Sequence, residues 1–213
     1  MESMAALEDL LDHLDATRER TLVALEMLSD EALLTPGVIG RWSIADLLSI
    51  LTAWDAEVVT GLLRLKGGRA PENLLAAAAN PDLYNAARHQ EAQGRDLDTI
   101  FADFQGARLH LEEWLGELPE RALTDPRHFK ALGGKSLGRL IARATYENEA
   151  RYLPFLTTFA ERWEDTPDAS DDAAVAEPGE MIALGDIGIL SAPGVNGDAA
   201  GGDFPEDDDD DDE

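Results

Sequence analysis

The segment "GRWSIADLLSILTAWDAE", Gly40 to Glu57, opens the best-defined helix of the sequence. Ser43 stands where an N-cap is expected and Asp46 is the third helical residue, which is the pattern of a capping box. Apolar residues then recur at helical spacing as far as Lys66, and the pair Gly67-Gly68 supplies a stop signal. The pattern therefore predicts one long core helix that begins at Ser43 and ends at about Lys66.

Three further segments have the same helical periodicity, and signals typical of β-strands are nearly absent from residues 1–163. They are 4–28, a broken segment formed by 81–91 and 97–118, and 136–163. Amphipathic helices can bury their apolar stripes only against one another, so the sequence predicts an all-α fold, a four-helix bundle. The loop 67–80 is long for a hairpin and is a candidate crossover connection between neighbouring helices.

Charge divides the chain into two parts. Of its 44 acidic residues, 18 lie in residues 164–213, which contain no Lys or Arg, so this segment carries −18 of the net charge of −27 and the remainder carries −9. The predicted domains are therefore a bundle, 1–163, and an acidic tail, 164–213, too poor in apolar residues to fold. Within the tail, "MIALGDIGIL" (181–190) is apolar and reads as a weakly ordered stretch on the bundle, with a small hairpin or a docking motif as alternatives.

Composition excludes several classes of function. The chain has no cysteine, which removes disulfides, thiolate metal sites and a cysteine nucleophile. The acidic body has no cluster of Lys or Arg, which argues against nucleic-acid binding. No stretch reaches the roughly 18 apolar residues that a membrane span requires, and the N-terminus lacks the features of a secretory signal. We therefore expect a cytoplasmic protein with no nucleic-acid or membrane partner.

The most distinctive polar residues lie in the last helical segment. Asn148 and Tyr152 are four residues apart on its otherwise apolar stripe. A buried amide without a partner costs about 1–3 kcal/mol, so Asn148 is either a satisfied core residue, the commoner case, or part of a ligand cavity. Glu147 lies at the edge of the same stripe, with Arg151 as an alternative surface partner.

The facing helix contributes the remaining candidates for such a cavity. Ile50 and Trp54 lie on the flank of its core stripe. Asp55 is expected at the edge of the cavity, and its spacing is more typical of a solvated carboxylate than of a catalytic one. The candidate cavity residues are therefore Asn148, Tyr152, Ile50, Trp54, Glu147 and Asp55.

Two stretches carry a resemblance to a known family. "GRWSIADLLSILTAWDAEVV" (40–59), followed by "GGKSLGRLIARATYENEARYLPFL" (133–156), resembles the DinB-like superfamily of four-helix bundles, in particular its ClbS/DfsB-type branch. The resemblance covers about residues 4–162 and carries the W-S-x-x-D-x-L opening of the second helix and a T-Y-E segment in the fourth. It implies the bundle fold and leaves the tail outside it.

The resemblance also implies where a metal would be held. Many DinB-like proteins bind a divalent metal with three histidines, and the matching positions here are Ile50, Asn148 and Tyr152. Isoleucine has no ligating atom, and an amide and a phenol are poor substitutes for imidazole. We therefore expect no metal and no other cofactor at this site, and the metal-dependent thiol transfer known in parts of the superfamily is not expected.

No other catalytic motif replaces the lost histidines. The four histidines (His13, His89, His110 and His128) fall on different segments and are expected to be scattered over the surface, with His110 on a solvated stripe. The stretch "GGKS", 133–136, lacks the strand and the spaced first glycine of a phosphate-binding loop, so Ser136 is expected simply to cap the next helix. No nucleophile elbow or dinucleotide fingerprint is present.

Three functions remain open. The first is a metal-free bundle that binds a small molecule in a protective or stress role, as the resemblance to ClbS-type proteins implies. The second is a metal-independent hydrolase of a reactive metabolite, for which Glu147 or Asp55 would have to point into the cavity. The third is an interaction protein whose acidic tail engages a basic partner. Exposed helix faces would also allow a homodimer.

Overall fold

The structure is a computed structural model that describes residues 2–119 and 121–164. This part of the chain is all-helical, which confirms the prediction of an all-α fold. Its α-helices are α1 (Glu2–Leu25), α2 (Asp30–Leu34), α3 (Ile44–Lys66), α4 (Glu72–Ala79), α5 (Pro81–Glu91), α6 (Leu97–Gly116), α7 (Leu137–Ala144), α8 (Tyr146–Ala150) and α9 (Leu153–Glu164). A single turn of 3₁₀-helix (Lys130–Leu132) precedes α7.

Helix α3 begins and ends as the sequence predicts. The Ser43 hydroxyl accepts a hydrogen bond from the Asp46 amide (3.1 Å), and the Asp46 carboxylate accepts one from the Ser43 amide (2.9 Å). Gly67 closes the other end, where its amide donates to the Leu63 carbonyl. Ser136 caps α7 by accepting from the Arg139 amide. Local capping interactions therefore account for these helix boundaries.

Three predicted boundaries were wrong. The first helix ends at Leu25 rather than Leu28, because Ser29 caps a separate short helix, α2. The segment 72–79, predicted as part of a loop, forms α4, whose alanine-rich sequence favours a helix and whose Leu74 is buried. The last segment is three helices instead of one. It breaks first at Thr145, whose hydroxyl donates to the Ile141 carbonyl and competes with the helical pattern.

Two apolar clusters form the core, and every long helical segment contributes to both. The first cluster includes Leu14 of α1, Val58 of α3, Leu111 of α6 and Ile141 of α7. The second includes Leu25 of α1, Leu47 of α3, Phe104 of α6 and Leu156 of α9. Along the chain, α1 and the run α7–α9 pass from the first cluster to the second, whereas α3 and α6 pass from the second to the first. Helices α3 and α6 therefore run in the same direction, and the connection between them is a crossover. Helices α4 and α5 lie in this crossover.

Helix packing follows this arrangement. Helix α3 packs along α6, and α1 packs along α8 and α9, while α5 covers one side of α3. Among the described helices, none combines the length and hydropathy needed to cross a bilayer. The predicted acidic tail, including its apolar stretch 181–190, lies outside the described residues, and the domain boundary at 163 stays a prediction.

Candidate functional site

Four charged side chains meet inside the helical core. They are Arg18 of α1, Asp55 of α3, Arg108 of α6 and Glu149 of α8, called here the charged quartet. Each of the four long helical segments provides one member. In α1, α6 and the run α7–α9 the charged residue lies between residues of the first and second apolar clusters, and in α3 Asp55 lies between Trp54 and Val58 of the first.

Each arginine of the quartet contacts both carboxylates. Arg18 Nε donates to Glu149 Oε1 (3.0 Å) and its Nη2 donates to Asp55 Oδ2 (3.1 Å). Arg108 Nε donates to Asp55 Oδ2 (3.1 Å) and its Nη2 donates to Glu149 Oε2 (2.9 Å). The two positive and two negative charges balance, which is the condition under which buried ions are tolerated.

Backbone carbonyls and an aromatic ring complete the surroundings of the arginines. Arg18 Nη1 donates to the Phe104 carbonyl (2.8 Å), and Arg108 Nη1 donates to the Leu14 carbonyl (3.0 Å). The Arg18 guanidinium also lies 3.5 Å from the centroid of the Phe104 ring, a cation–π contact. The guanidinium groups are therefore held in fixed orientations by several helices at once.

The contacts within the quartet favour the charged forms of Glu149 and Arg108. Burial, the largest influence on Glu149, favours the neutral acid, but Arg18 and Arg108 outweigh it and lower the pKa of Glu149. Burial likewise favours the neutral form of Arg108, but Asp55 and Glu149 outweigh it and raise the pKa of Arg108. Both shifts favour the charged forms of Glu149 and Arg108.

Asp55 is buried inside this network. The expectation that it is solvated was wrong, since Asp55 is only 1% exposed. Its Oδ2 accepts from both Arg18 and Arg108, and its Oδ1 lies 3.5 Å from Arg108 Nη2. A carboxylate whose lone pairs are engaged by two guanidinium groups is a poor general base.

Glu147 is also unavailable for chemistry inside the core. Its side chain is only part-buried, and it pairs with Arg139 on the surface of α7. Arg151, the partner considered from sequence, is not the one that the structure shows. Both carboxylates that the sequence offered as a hydrolytic base are therefore engaged in ion pairs with arginine.

A second cluster of polar side chains connects α3, α5 and the junction of α8 with α9. The Trp54 indole N–H donates to Asn85 Oδ1 (2.8 Å), and Asn85 Nδ2 lies 3.5 Å from the Tyr152 hydroxyl. Tyr84 packs its ring at 4.5 Å from that of Trp54 and donates its hydroxyl to the Ala53 carbonyl. Two of the predicted cavity residues, Trp54 and Tyr152, are thus brought together by Asn85 of α5.

Asn148 lies one turn before Tyr152 and is 4% exposed. Its Nδ2 has no hydrogen-bond partner among the described residues. Burial raises the pKa of Tyr152, which keeps its hydroxyl protonated and able to donate. Asn148 and Tyr152 therefore each place one hydrogen-bond donor on neighbouring turns of the run α7–α9.

The three positions that the resemblance assigns to metal ligands do not fit a divalent metal. Ile50 is fully buried among apolar residues of the first cluster. Tyr152 keeps its proton, and Asn148 has an amide nitrogen that can only donate. In place of three imidazoles, these positions offer an aliphatic side chain, an amide and a protonated phenol.

The histidines lie apart from one another, but His89 is less exposed than the sequence suggests. His89 Nε2 lies 3.4 Å from Asp46 Oδ1, and the His89 ring lies 6.1 Å from that of Trp42. His110 is exposed beside Glu113, as its stripe predicts. Within residues 2–119 and 121–164, no group of three or more His, Asp or Glu side chains has the arrangement of a metal site.

Sequence reasoning missed Arg18, Arg108, Glu149 and Asn85. A signal for the first three was present, because each stands at helical spacing from buried residues of its own segment. Arg18 follows Leu14 by four residues, and Arg108 lies four residues after Phe104. Each long helical segment has one charged residue on its apolar stripe, and two of the four are positive and two are negative. This pattern would have indicated the quartet. Asn85 carries no such signal, since it lies in a short helix of mixed composition.

The comparisons with known proteins give one result. The family model described as the DinB superfamily matches residues 13–153, about two thirds of the chain. That range contains the whole quartet as well as Trp54, Asn148 and Tyr152. No curated protein and no solved structure gives a significant match to the chain.

Proposed function

The chain belongs to the DinB superfamily, and we propose that it is a member that binds a small organic molecule without a metal ion. In this proposal the four long helical segments act as a four-helix bundle, and the chain falls in the ClbS/DfsB-type branch with a protective role. The binding site consists of Asn148 and Tyr152, together with Trp54 and Asn85.

One observation carries the proposal: the Asn148 amide nitrogen is buried and has no partner in the described part of the chain. Such a donor costs about 1–3 kcal/mol when it is left unpaired. An acceptor oxygen of a bound molecule would recover that free energy. The protonated hydroxyl of Tyr152 supplies a second donor nearby. The ligand class that fits these donors is a small molecule with carbonyl or carboxylate oxygens.

Binding is favoured over hydrolysis by the positions of the two carboxylates. Hydrolysis without a metal needs a general base within hydrogen-bond reach of the attacking water. Asp55 is engaged by Arg18 and Arg108, and Glu147 by Arg139. The alternative role of the acidic tail concerns residues outside those described and stays a prediction.

Replacing Asn148 with leucine tests the proposal. We expect the substitution to weaken the binding of small carbonyl compounds at least fivefold, because an amide donor is lost, while the melting temperature stays the same or rises, because an unpaired buried donor is removed. The probes are acetate, acetamide and N-methylpyrrolidone, titrated into the ¹⁵N-labelled full chain while the tryptophan indole and asparagine side-chain amide signals are followed by NMR. Asn73→Leu, at an exposed position of α4, is the matched control.

Two outcomes would contradict the proposal. The first is that none of the probes shifts the Trp54 indole signal in the unsubstituted protein. The second is that Asn148→Leu leaves probe binding unchanged, as Asn73→Leu should, which would make Asn148 a purely structural residue.

A further inference from the structure

An open groove runs along the outer side of the core between α1 and α6. Its volume is about 670 Å³, and it is lined chiefly by Asp15, Glu19, Leu22 and Val23 of α1, by Glu26 in the turn that follows α1, and by Phe101 of α6. We call it the α1–α6 groove. It contains none of the residues of the proposed small-molecule site, so it is a separate feature of the molecule.

The groove residues on α1 form one continuous face, which Glu26 extends just past the end of the helix. Positions 15, 19, 22 and 23 follow the helical spacing of three, four and seven residues. The apolar part of this face is short and exposed, since Val23 is 63% exposed and Leu22 is also exposed. From residue 15 to residue 23 the face is about 12 Å long at 1.5 Å per residue, which is roughly two helical turns. Exposed apolar side chains on a helix face that acidic residues flank are typical of a surface that receives a second helix.

Negative charge surrounds Leu22 and Val23. Asp15, Glu19 and Glu26 are exposed, and none of them forms an ion pair with another described residue. Arg18 also borders the groove, but its guanidinium is engaged by Asp55, Glu149 and the Phe104 carbonyl. The Arg18 guanidinium is therefore paired within the charged quartet. The three carboxylates of the groove have no ion-pair partner among the described residues.

We propose that the α1–α6 groove binds a basic amphipathic helix of a partner protein. Leucine or isoleucine side chains on one face of that helix would bury Leu22, Val23 and the edge of Phe101. Lysine or arginine side chains on its flanks would meet Asp15, Glu19 and Glu26. The chain's net charge of −27 favours fast encounter with such a partner.

The test uses a defined probe and the full chain. The probe is a fluorescently labelled 18-residue helix of leucine and lysine with its leucines on one face, and its binding is followed by fluorescence anisotropy. Val23→Ser is expected to weaken binding by roughly tenfold, because burial of one aliphatic side chain is lost. The matched control is Leu109→Ser on the solvent side of α6, which is 61% exposed and lies outside the groove, and it should change binding less than twofold.

A second pair of variants tests the charges. The double substitution Glu19→Gln, Glu26→Gln should weaken binding severalfold and reduce its dependence on salt. The control Glu113→Gln, Glu117→Gln removes the same charge from the far turn of α6 and should have a smaller effect on both quantities.

Three results would overturn this inference. Equal binding by all variants would mean that the acidic tail, present in every one of them, holds the peptide. A Leu109→Ser effect as large as that of Val23→Ser would mean that the contact is unspecific. A change in the sedimenting mass of the chain alone on Val23→Ser would mean that the groove joins two copies of this chain.

Discussion

Replacing Glu149 with leucine is expected to lower the free energy of unfolding by about 3–5 kcal/mol, because it leaves two buried guanidinium groups with a single carboxylate. Arg18 and Arg108 would each lose a charged hydrogen-bond partner that the packed helices cannot replace. The measurement is chemical denaturation of the full chain followed by circular dichroism. Glu147→Leu, which removes one half of an exposed ion pair, is the matched control and should cost less than about 1 kcal/mol.

The same network predicts an opposite result when all four members are replaced together. A chain with Arg18→Met, Asp55→Leu, Arg108→Met and Glu149→Leu should be within about 2 kcal/mol of the original, or more stable, since buried ion networks often exchange for apolar residues without loss. If Glu149→Leu alone costs less than about 1 kcal/mol, the quartet does not exist as described.

Phe104→Ala is expected to destabilise the fold by about 3–5 kcal/mol, the range for removing a fully buried aromatic side chain. Phe104 is fully buried in the second cluster, and its ring also supports the Arg18 guanidinium. Phe104→Leu keeps most of the apolar volume but removes the aromatic face, so it should cost clearly less than Phe104→Ala. Both are measured by the same denaturation experiment.

Phe155 provides the control for this prediction. It lies in α9 and is exposed, so Phe155→Ala should cost less than about 1 kcal/mol. Equal losses from Phe104→Ala and Phe155→Ala would contradict the arrangement of the core. Equal losses from Phe104→Leu and Phe104→Ala would instead mean that the contact with Arg18, rather than buried volume, dominates at this position.

Much of the fold could be predicted from the sequence because its signals are local. The capping box of Ser43 and Asp46 and the glycines at 67–68 mark α3 without reference to the rest of the chain. Proline at the start of α5 acts in the same way. The break at Thr145 could not be read from periodicity, because the apolar stripe continues through it.

The candidate site was less predictable because its contacts join distant segments. Asp55 looked solvated, since periodicity alone does not show that two arginines from α1 and α6 lie opposite it. Asn85 comes from the crossover, and no spacing rule connects it with Trp54 or Tyr152. The sequence raised the question whether the Asn148 amide has a partner. The structure shows that its nitrogen has none among the described residues.

Zinc titration of the ¹⁵N-labelled full chain, read residue by residue by NMR, tests most directly the claim that this superfamily member uses its site without a metal. Reading individual signals separates the site from the carboxylates of residues 164–213, which can bind cations loosely. We predict no stoichiometric shift of the Trp54 indole, Asn85 and Asn148 side-chain signals. Saturation of those three signals at one zinc per chain would contradict the claim.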